Sequence, residues 1–226
     1  MTKTAISFRV PEKLWDAFKT QTDELFLSRA PFLNYMVRRE LNYLRDDLVG
    51  MKLSTRAKRH ISGQLKRTGA KSVNIEVEPE TAEALRATVA EHNLVRDAFM
   101  CRLIIFLRST DTLLKHLEVP RYATSKGSGS YLEEMPSSPL GAMEAVRDDP
   151  LFYVRSHVQE GWQCGVYRVQ LPRSADWAAC YLDDELVPGT RSHRKKQKED
   201  DEMFALVDMP ATPPTTAVRK TTRSPK

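Results

Sequence analysis

Apolar and polar positions alternate at the front of the chain. Ile6, Phe8 and Val10 are interleaved with Ala5, Ser7 and Arg9. A period of two predicts a short strand with one apolar face. Pro11 ends that strand and suits the first turn of a helix. The period then changes: Leu14, Ala17, Phe18 and Leu25 fall at helical spacing, and Phe26 and Leu27 close the helix. Ser28 is a candidate N-cap for a second helix with Pro31 in its first turn. That helix carries an apolar stripe of Phe32, Leu33, Met36, Val37, Leu41 and Leu44. Arg38, Arg39 and Arg45 are expected on its solvated face, and Trp15 at the edge of the helix pair.

The same order returns 67 residues later. Val73, Ile75 and Val77 alternate with Asn74, Glu76 and Glu78, and Pro79 follows. Ala82, Leu85, Val89 and Leu94 continue at helical spacing. Phe99, Met100, Leu103, Ile104 and Leu107 form a second stripe. Without a gap, Val10 falls on Val77, Phe18 on Leu85, Arg29 on Arg96 and Phe32 on Phe99. The shared order of strand, proline, helix, turn and helix predicts an internal repeat, with copy 1 at residues 1–48 and copy 2 at 72–117.

Between them, at 49–71, Leu53, Ala57, Ile61 and Leu65 recur every four residues among Arg56, Lys58, Arg59, Lys66 and Arg67. This reads as a basic amphipathic linker helix or as a solvated connector. Past residue 117 the texture changes. Lys126–Ser130 reads as a flexible loop, and Pro136–Pro139 as another break. Leu151–Gln159 and Cys164–Leu171 read as two strands of a hairpin, so 118–187 is expected to be a small acidic module, α+β or β-rich. Residues 188–226 read as a disordered tail, because they hold too few apolar side chains to offset ordering entropy. The fold class expected is mainly α with a short β ribbon, followed by that module and tail.

Charge sharpens the picture. The net charge is +5 over 226 residues. Residues 1–70 hold 14 basic and 7 acidic side chains, whereas residues 121–190 hold 6 and 10. A basic front half points to a polyanionic partner there. No run approaches the roughly 20 apolar residues of a membrane span, and the opening residues lack the order of a signal peptide. Cys101, Cys164 and Cys180 show neither a disulfide framework nor a zinc spacing. A reduced cytoplasmic setting is expected, nucleoid-associated if the partner is DNA.

The run Ile6-Ser7-Phe8-Arg9-Val10-Pro11-Glu12, followed by an amphipathic helix pair through Leu41, resembles the ribbon–helix–helix superfamily of bacterial DNA-binding proteins. The segment from Val73 through Leu107 resembles it less closely, and together they cover under half of the chain. The resemblance implies a two-stranded antiparallel ribbon that enters the DNA major groove. Two strands are needed because one cannot stand alone. The family takes its second copy from another chain; here the two copies either pair within one polypeptide or pair with equivalents in a second chain.

On this resemblance the base-contacting candidates are Ala5, Ser7, Arg9, Ser72 and Asn74. Arg contacts guanine in bidentate fashion, and Asn reads adenine. Glu76 falls on Arg9 with the wrong charge for a surface facing DNA. It accepts from a cytosine amino group, pairs with Arg9 across the ribbon, or marks a copy that has lost DNA contact. The phosphate-contacting candidates are Lys3, Ser28, Arg29, Arg56, Lys58, Arg59 and Arg96. Ser28 and Arg29 belong to a helix N-terminus, which suits anions. Val95 stands where copy 1 has Ser28, so the second cap is expected to be weaker.

No catalytic constellation is found. His60, His92, His116, His157 and His193 form no metal-binding spacing. A His157–Cys164 pair across the expected hairpin and a cation site at Asp183-Asp184-Glu185 are the closest approaches to one. Gly127-Ser128-Gly129 lacks the Gly-Lys-Ser/Thr of a phosphate loop. No enzyme, metal or cofactor is expected. The function expected is sequence-specific binding of double-stranded DNA as a transcriptional repressor or autoregulator. Its alternative is a protein-binding module, antitoxin-like or an accessory subunit, that holds a protein partner through residues 120–187. A third reading is a nucleic-acid packaging protein that works by charge alone.

Overall fold

The computed structural model describes residues 3–120, 138, 141, 144 and 147–207. Strand β1 (Thr4–Pro11) leads into α1 (Glu12–Glu24) and α2 (Arg29–Asp47). Helix α3 (Thr55–Arg67) is followed by β2 (Ala70–Val77), α4 (Pro79–Glu91), α5 (Arg96–Arg108) and α6 (Asp111–His116). Then come α7 (Phe152–Trp162), two 3-10 turns at Arg173–Ala178 and Asp184–Leu186, and α8 (Arg191–Val207). The described part is mainly helical with one two-stranded antiparallel sheet.

The sheet is built from β1 and β2 of the same chain. Ile6 lies opposite Ile75, Ser7 opposite Asn74, Phe8 opposite Val73 and Arg9 opposite Ser72. Ile6, Phe8, Val10, Ile75 and Val77 are buried, as the alternation predicts. The pairing of copies is therefore intramolecular. Its register is the one a local twofold through Ser7 and Asn74 requires, since these two residues correspond at the 67-residue offset.

The helices keep the same offset. Helix α1 spans 12–24 and α4 spans 79–91, while α2 starts at 29 and α5 at 96. Both intervening turns hold a left-handed residue at the matching position, Phe26 (φ 55°) and Asn93 (φ 54°). Both close with the same backbone bond, Leu27 N–H to Thr22 O at 2.8 Å and Leu94 N–H to Val89 O at 2.9 Å. The halves interlock: α2 packs on α4, and α1 packs on α5. Asn34 Oδ1 accepts the Glu78 N–H at 2.9 Å, and Arg45 Nε donates to Thr88 Oγ1 at 3.0 Å.

Copy 2's turn is covered and copy 1's is not. Leu53 N–H donates to His92 O at 3.0 Å, and Asn93 Nδ2 donates to Leu53 O at 2.7 Å. Phe26, by contrast, is 96% exposed. A bulky aromatic residue at positive φ is disfavoured, whereas Asn tolerates that region. Phe26→Asn therefore removes strain without removing packing. It is expected to stabilise the fold by about 0.5–1 kcal/mol, read as a higher urea midpoint.

Trp15 is a core residue rather than an edge one. It is buried edge-on against Phe8, with ring centroids 6.1 Å apart. Helix α3 is a packed element and not a solvated connector. Ser54 caps it by accepting the Ala57 N–H at 3.1 Å, and Ala57, Ile61 and Leu65 are buried. Strand β2 begins at Ala70, two residues before the expected boundary.

The expected hairpin at 151–171 is absent. Residues 152–162 are α7, and no strand occupies 164–171. Val154 and Val158 fit helical spacing, one turn apart, and both are buried. These residues join the main core together with Val166, Tyr167, Val169 and Leu171. They form a layer over α2 and α5 and not a separate module. Residues 191–207 form a helix where a disordered tail was expected. Thr190 Oγ1 accepts the His193 N–H at 2.8 Å at its start, and Lys195 and Glu199 pair at 3.5 Å across one turn. Local capping and i,i+4 pairing support the first turns of this helix. The loop at 126–130 and the tail from 208 to 226 lie outside the described residues, as does most of the Pro136–Pro139 break.

A buried polar network fastens the layer. The Arg155 guanidinium meets Glu40 Oε1 at 2.7 Å and lies over the Tyr43 ring at 3.5 Å. Tyr167 donates its hydroxyl to Glu40 Oε2 at 2.8 Å and its backbone N–H to Asp47 Oδ2 at 2.9 Å. Arg102 donates Nε to Val166 O at 2.7 Å and Nη2 to Val169 O at 2.5 Å. Burial pushes the Glu40 and Asp47 carboxyls above their ordinary range, opposed by these donors. Gly165 is required beside them, because a Cβ there would come within 1.6 Å of Asp47 Oδ1.

Candidate nucleic-acid interface

The sheet covers its core with one face and presents the other to solvent. Ala5, Ser7 and Arg9 from β1 and Ser72, Asn74 and Glu76 from β2 are all exposed. Alternation permits no other outcome once Ile6, Phe8 and Val10 point inward. The five residues expected to meet bases thus share one surface two strands wide, at about 4.8 Å between strands.

Partners on that surface are few. Ser7 Oγ and Ser72 Oγ lie 3.0 Å apart and share a hydrogen bond. The Arg9 guanidinium has no hydrogen-bond or ion-pair partner among the described residues, while its backbone carbonyl lies 3.4 Å from Cys101 Sγ. Glu76 is not opposite Arg9. The register places it opposite Ala5, and its carboxylate pairs with Lys3 at 3.2 Å. Both members of that pair are more than 60% exposed, so the contact is weak.

The candidate phosphate contacts are more occupied. Ser28 precedes α2 in extended conformation but makes no side-chain cap, and Val95 holds the same place before α5. The caps therefore do not differ as the sequence predicts. Arg29 pairs with Asp23, and Arg96 with Asp97 at 3.5 Å. Arg56 Nη2 donates to Gly189 O at 2.9 Å and Lys58 Nζ to Asn93 Oδ1 at 2.9 Å. Arg59 is exposed. On α2, Arg38 pairs with Glu78 at 3.3 Å, and Arg39 with Asp149 at 3.1 Å and half-buried.

Other chemistry is thinly represented. His157 lies on α7, edge-on to Tyr153 at 4.6 Å. Each carboxylate of the acidic turn has its own partner: Asp183 with Tyr181, Asp184 with Ser54 and Glu185 with Lys196. A cleft of about 440 Å³ between α3 and α8 is lined by His60, Arg173, Asp176, Glu185, His193 and Lys196, with cations and carboxylates intermixed. Among the described residues no cluster of three or more His, Cys, Asp or Glu side chains could hold a metal ion. No described helix is long and apolar enough to cross a membrane.

No family model, curated protein or solved structure matches this chain.

Proposed function

We propose that the chain is a sequence-specific double-stranded DNA-binding protein, a transcriptional repressor or autoregulator whose fold is a tandem ribbon–helix–helix. The carrying observation is the outer face of the sheet. Four short side chains, Ala5, Ser7, Ser72 and Asn74, stand with the unpartnered Arg9 and with Glu76 on a two-stranded ribbon. Its register is centred on corresponding residues of two interlocked halves. A two-stranded ribbon fits the major groove, where each base pair shows a distinct donor and acceptor pattern. Arg9 presents a free fork to guanine O6 and N7, and Asn74 an amide suited to adenine. Lys3, Arg29, Arg59 and Arg96 supply phosphate contacts, because exposed ion pairs exchange readily for phosphate oxygens.

The alternative, a protein partner held through residues 120–187, has less behind it. Most apolar residues of 151–187, Phe152 and Trp162 excepted, are spent on the chain's own core. The charge-only reading leaves the ribbon without a role.

The test uses the full chain and duplexes selected from a random pool. Arg9→Ala is expected to weaken binding to the selected site by about 1–3 kcal/mol, roughly 5- to 150-fold. Binding to random duplex should fall far less, as followed by fluorescence anisotropy at fixed salt. Equal losses on both duplexes would remove Arg9 as a base reader.

A further inference from the structure

The two ends of the ribbon's outer face carry opposite charge. From this we infer that one chain reads a non-palindromic DNA site in a single orientation, with Arg9 on a guanine at one end and Glu76 on a cytosine amino group at the other. The inference rests on the DNA-binding reading and names the kind of site it takes.

A ribbon made of two identical strands would repeat every contact about its twofold axis, and its site would be palindromic. Here the axis passes through the Ser7–Asn74 pair. A half-turn about it exchanges Arg9 opposite Ser72 with Glu76 opposite Ala5. The twofold of the backbone is kept and the chemistry is broken. Arg9 and Glu76 each lie two residues from the centre, in opposite directions. At roughly 3.3 Å per residue they stand about 13 Å apart along the ribbon, close to four base pairs at about 3.4 Å each.

The two side chains seek different partners. Arg9 donates and matches the paired acceptors of guanine. Glu76 only accepts, so it needs an amino group in the groove and is repelled by guanine O6 and N7. Its ion pair with Lys3 is exposed at both partners, so the carboxylate is free to turn toward a base and Lys3 toward a phosphate. The helix starts run the same way: the first turn of α2 holds Arg29 and no acid, while that of α5 holds Asp97 beside Arg96. Both strands come from one chain, so a single copy completes the reading surface.

The experiment selects bound duplexes from a random pool with the full chain and its Glu76→Arg and Glu76→Gln variants. Stoichiometry is titrated above the dissociation constant. Glu76 is exposed, and circular dichroism checks that both variants keep the fold. The wild-type consensus is expected to lack twofold symmetry and to bind one chain per site. Glu76→Arg is expected to exchange C·G for G·C about four base pairs from the Arg9 contact, so that the two ends of the consensus become related by twofold symmetry. Glu76→Gln should lose discrimination at that base pair by at least fivefold and leave the Arg9 end intact. A palindromic wild-type consensus, or unchanged specificity in both variants, overturns the inference and leaves the DNA-binding reading standing. Failure to enrich any duplex overturns the DNA-binding reading itself.

Discussion

Arg102→Ala is expected to lower the stability of the chain by about 3–5 kcal/mol, the range for breaking a buried charged contact from one side. Arg102 is 1% exposed and lies in the middle of α5. Its guanidinium holds the carbonyls of Val166 and Val169 and sits 5.4 Å from the Phe106 ring centroid. Burial pulls it below the ordinary arginine range, and Asp47 is among the neighbours that oppose this. Alanine would leave two buried carbonyls without their donor, a void of several heavy atoms and the Asp47 carboxylate without that counter-charge. Lysine should not rescue the loss, because one ammonium cannot reproduce a planar fork aimed at two carbonyls three residues apart. Urea unfolding of wild type, Arg102→Ala and Arg102→Lys measures this. A loss below about 1 kcal/mol in the alanine variant would show that the network closes without its arginine.

The front of this molecule was readable because two different periods follow one another. Ile6, Phe8 and Val10 can face one way only as a strand, and the stripe from Phe32 to Leu44 only as a helix. The 67-residue offset added more than either, since it named Ser7 and Asn74 as equivalents and the sheet sets them face to face. Pairing within one chain was left open by the sequence. It depends on whether the connector lets β2 turn back on β1, which periodicity does not encode. Lys3 as the partner of Glu76 was hidden for a similar reason, because the register had to be known first.

At the back the local pattern is ambiguous. Leu151–Gln159 is apolar enough for a strand and spaced well enough for a helix. Two charged residues inside apolar stripes carry a stronger signal. Glu40 interrupts the stripe between Val37 and Leu41, and Arg102 interrupts an otherwise apolar helix between Phe99 and Phe106. A charge inside an apolar stripe needs a buried partner, and no element of the repeat supplies one for either residue. Those two positions pointed to a further layer carrying an opposite charge and free carbonyls. The layer brings both, as Arg155 and as the Val166 and Val169 carbonyls.

A fragment of residues 1–120 is therefore expected not to fold cooperatively, although it contains both copies of the repeat. Helix α5 is apolar almost all round, which is stable only when both sides are covered. Cys101 faces the ribbon, with Sγ 3.4 Å from the Arg9 carbonyl. Phe99, Arg102 and Phe106 recur at helical spacing on another face. Phe99 packs on Tyr167 at 5.6 Å, and Arg102 bonds into the layer. Removing residues beyond 120 takes away Leu151, Val154, Val158, Val166, Tyr167, Val169 and Leu171 from the main core, and Ala179, Leu182 and Val187 from the smaller one around Leu53 and Ile61. Burial of one such aliphatic side chain is worth about 1.5–3 kcal/mol, against a net stability of about 5–15 kcal/mol for a domain. The ordering entropy of the lost segment is recovered, but the face left on α2 and α5 stays wet. The measurement is thermal unfolding of the fragment beside the full chain, with dye binding to exposed apolar surface. A fragment with a sharp transition within about 5 °C of the full chain would show that the interlocked halves are self-sufficient and the layer is an addition to them.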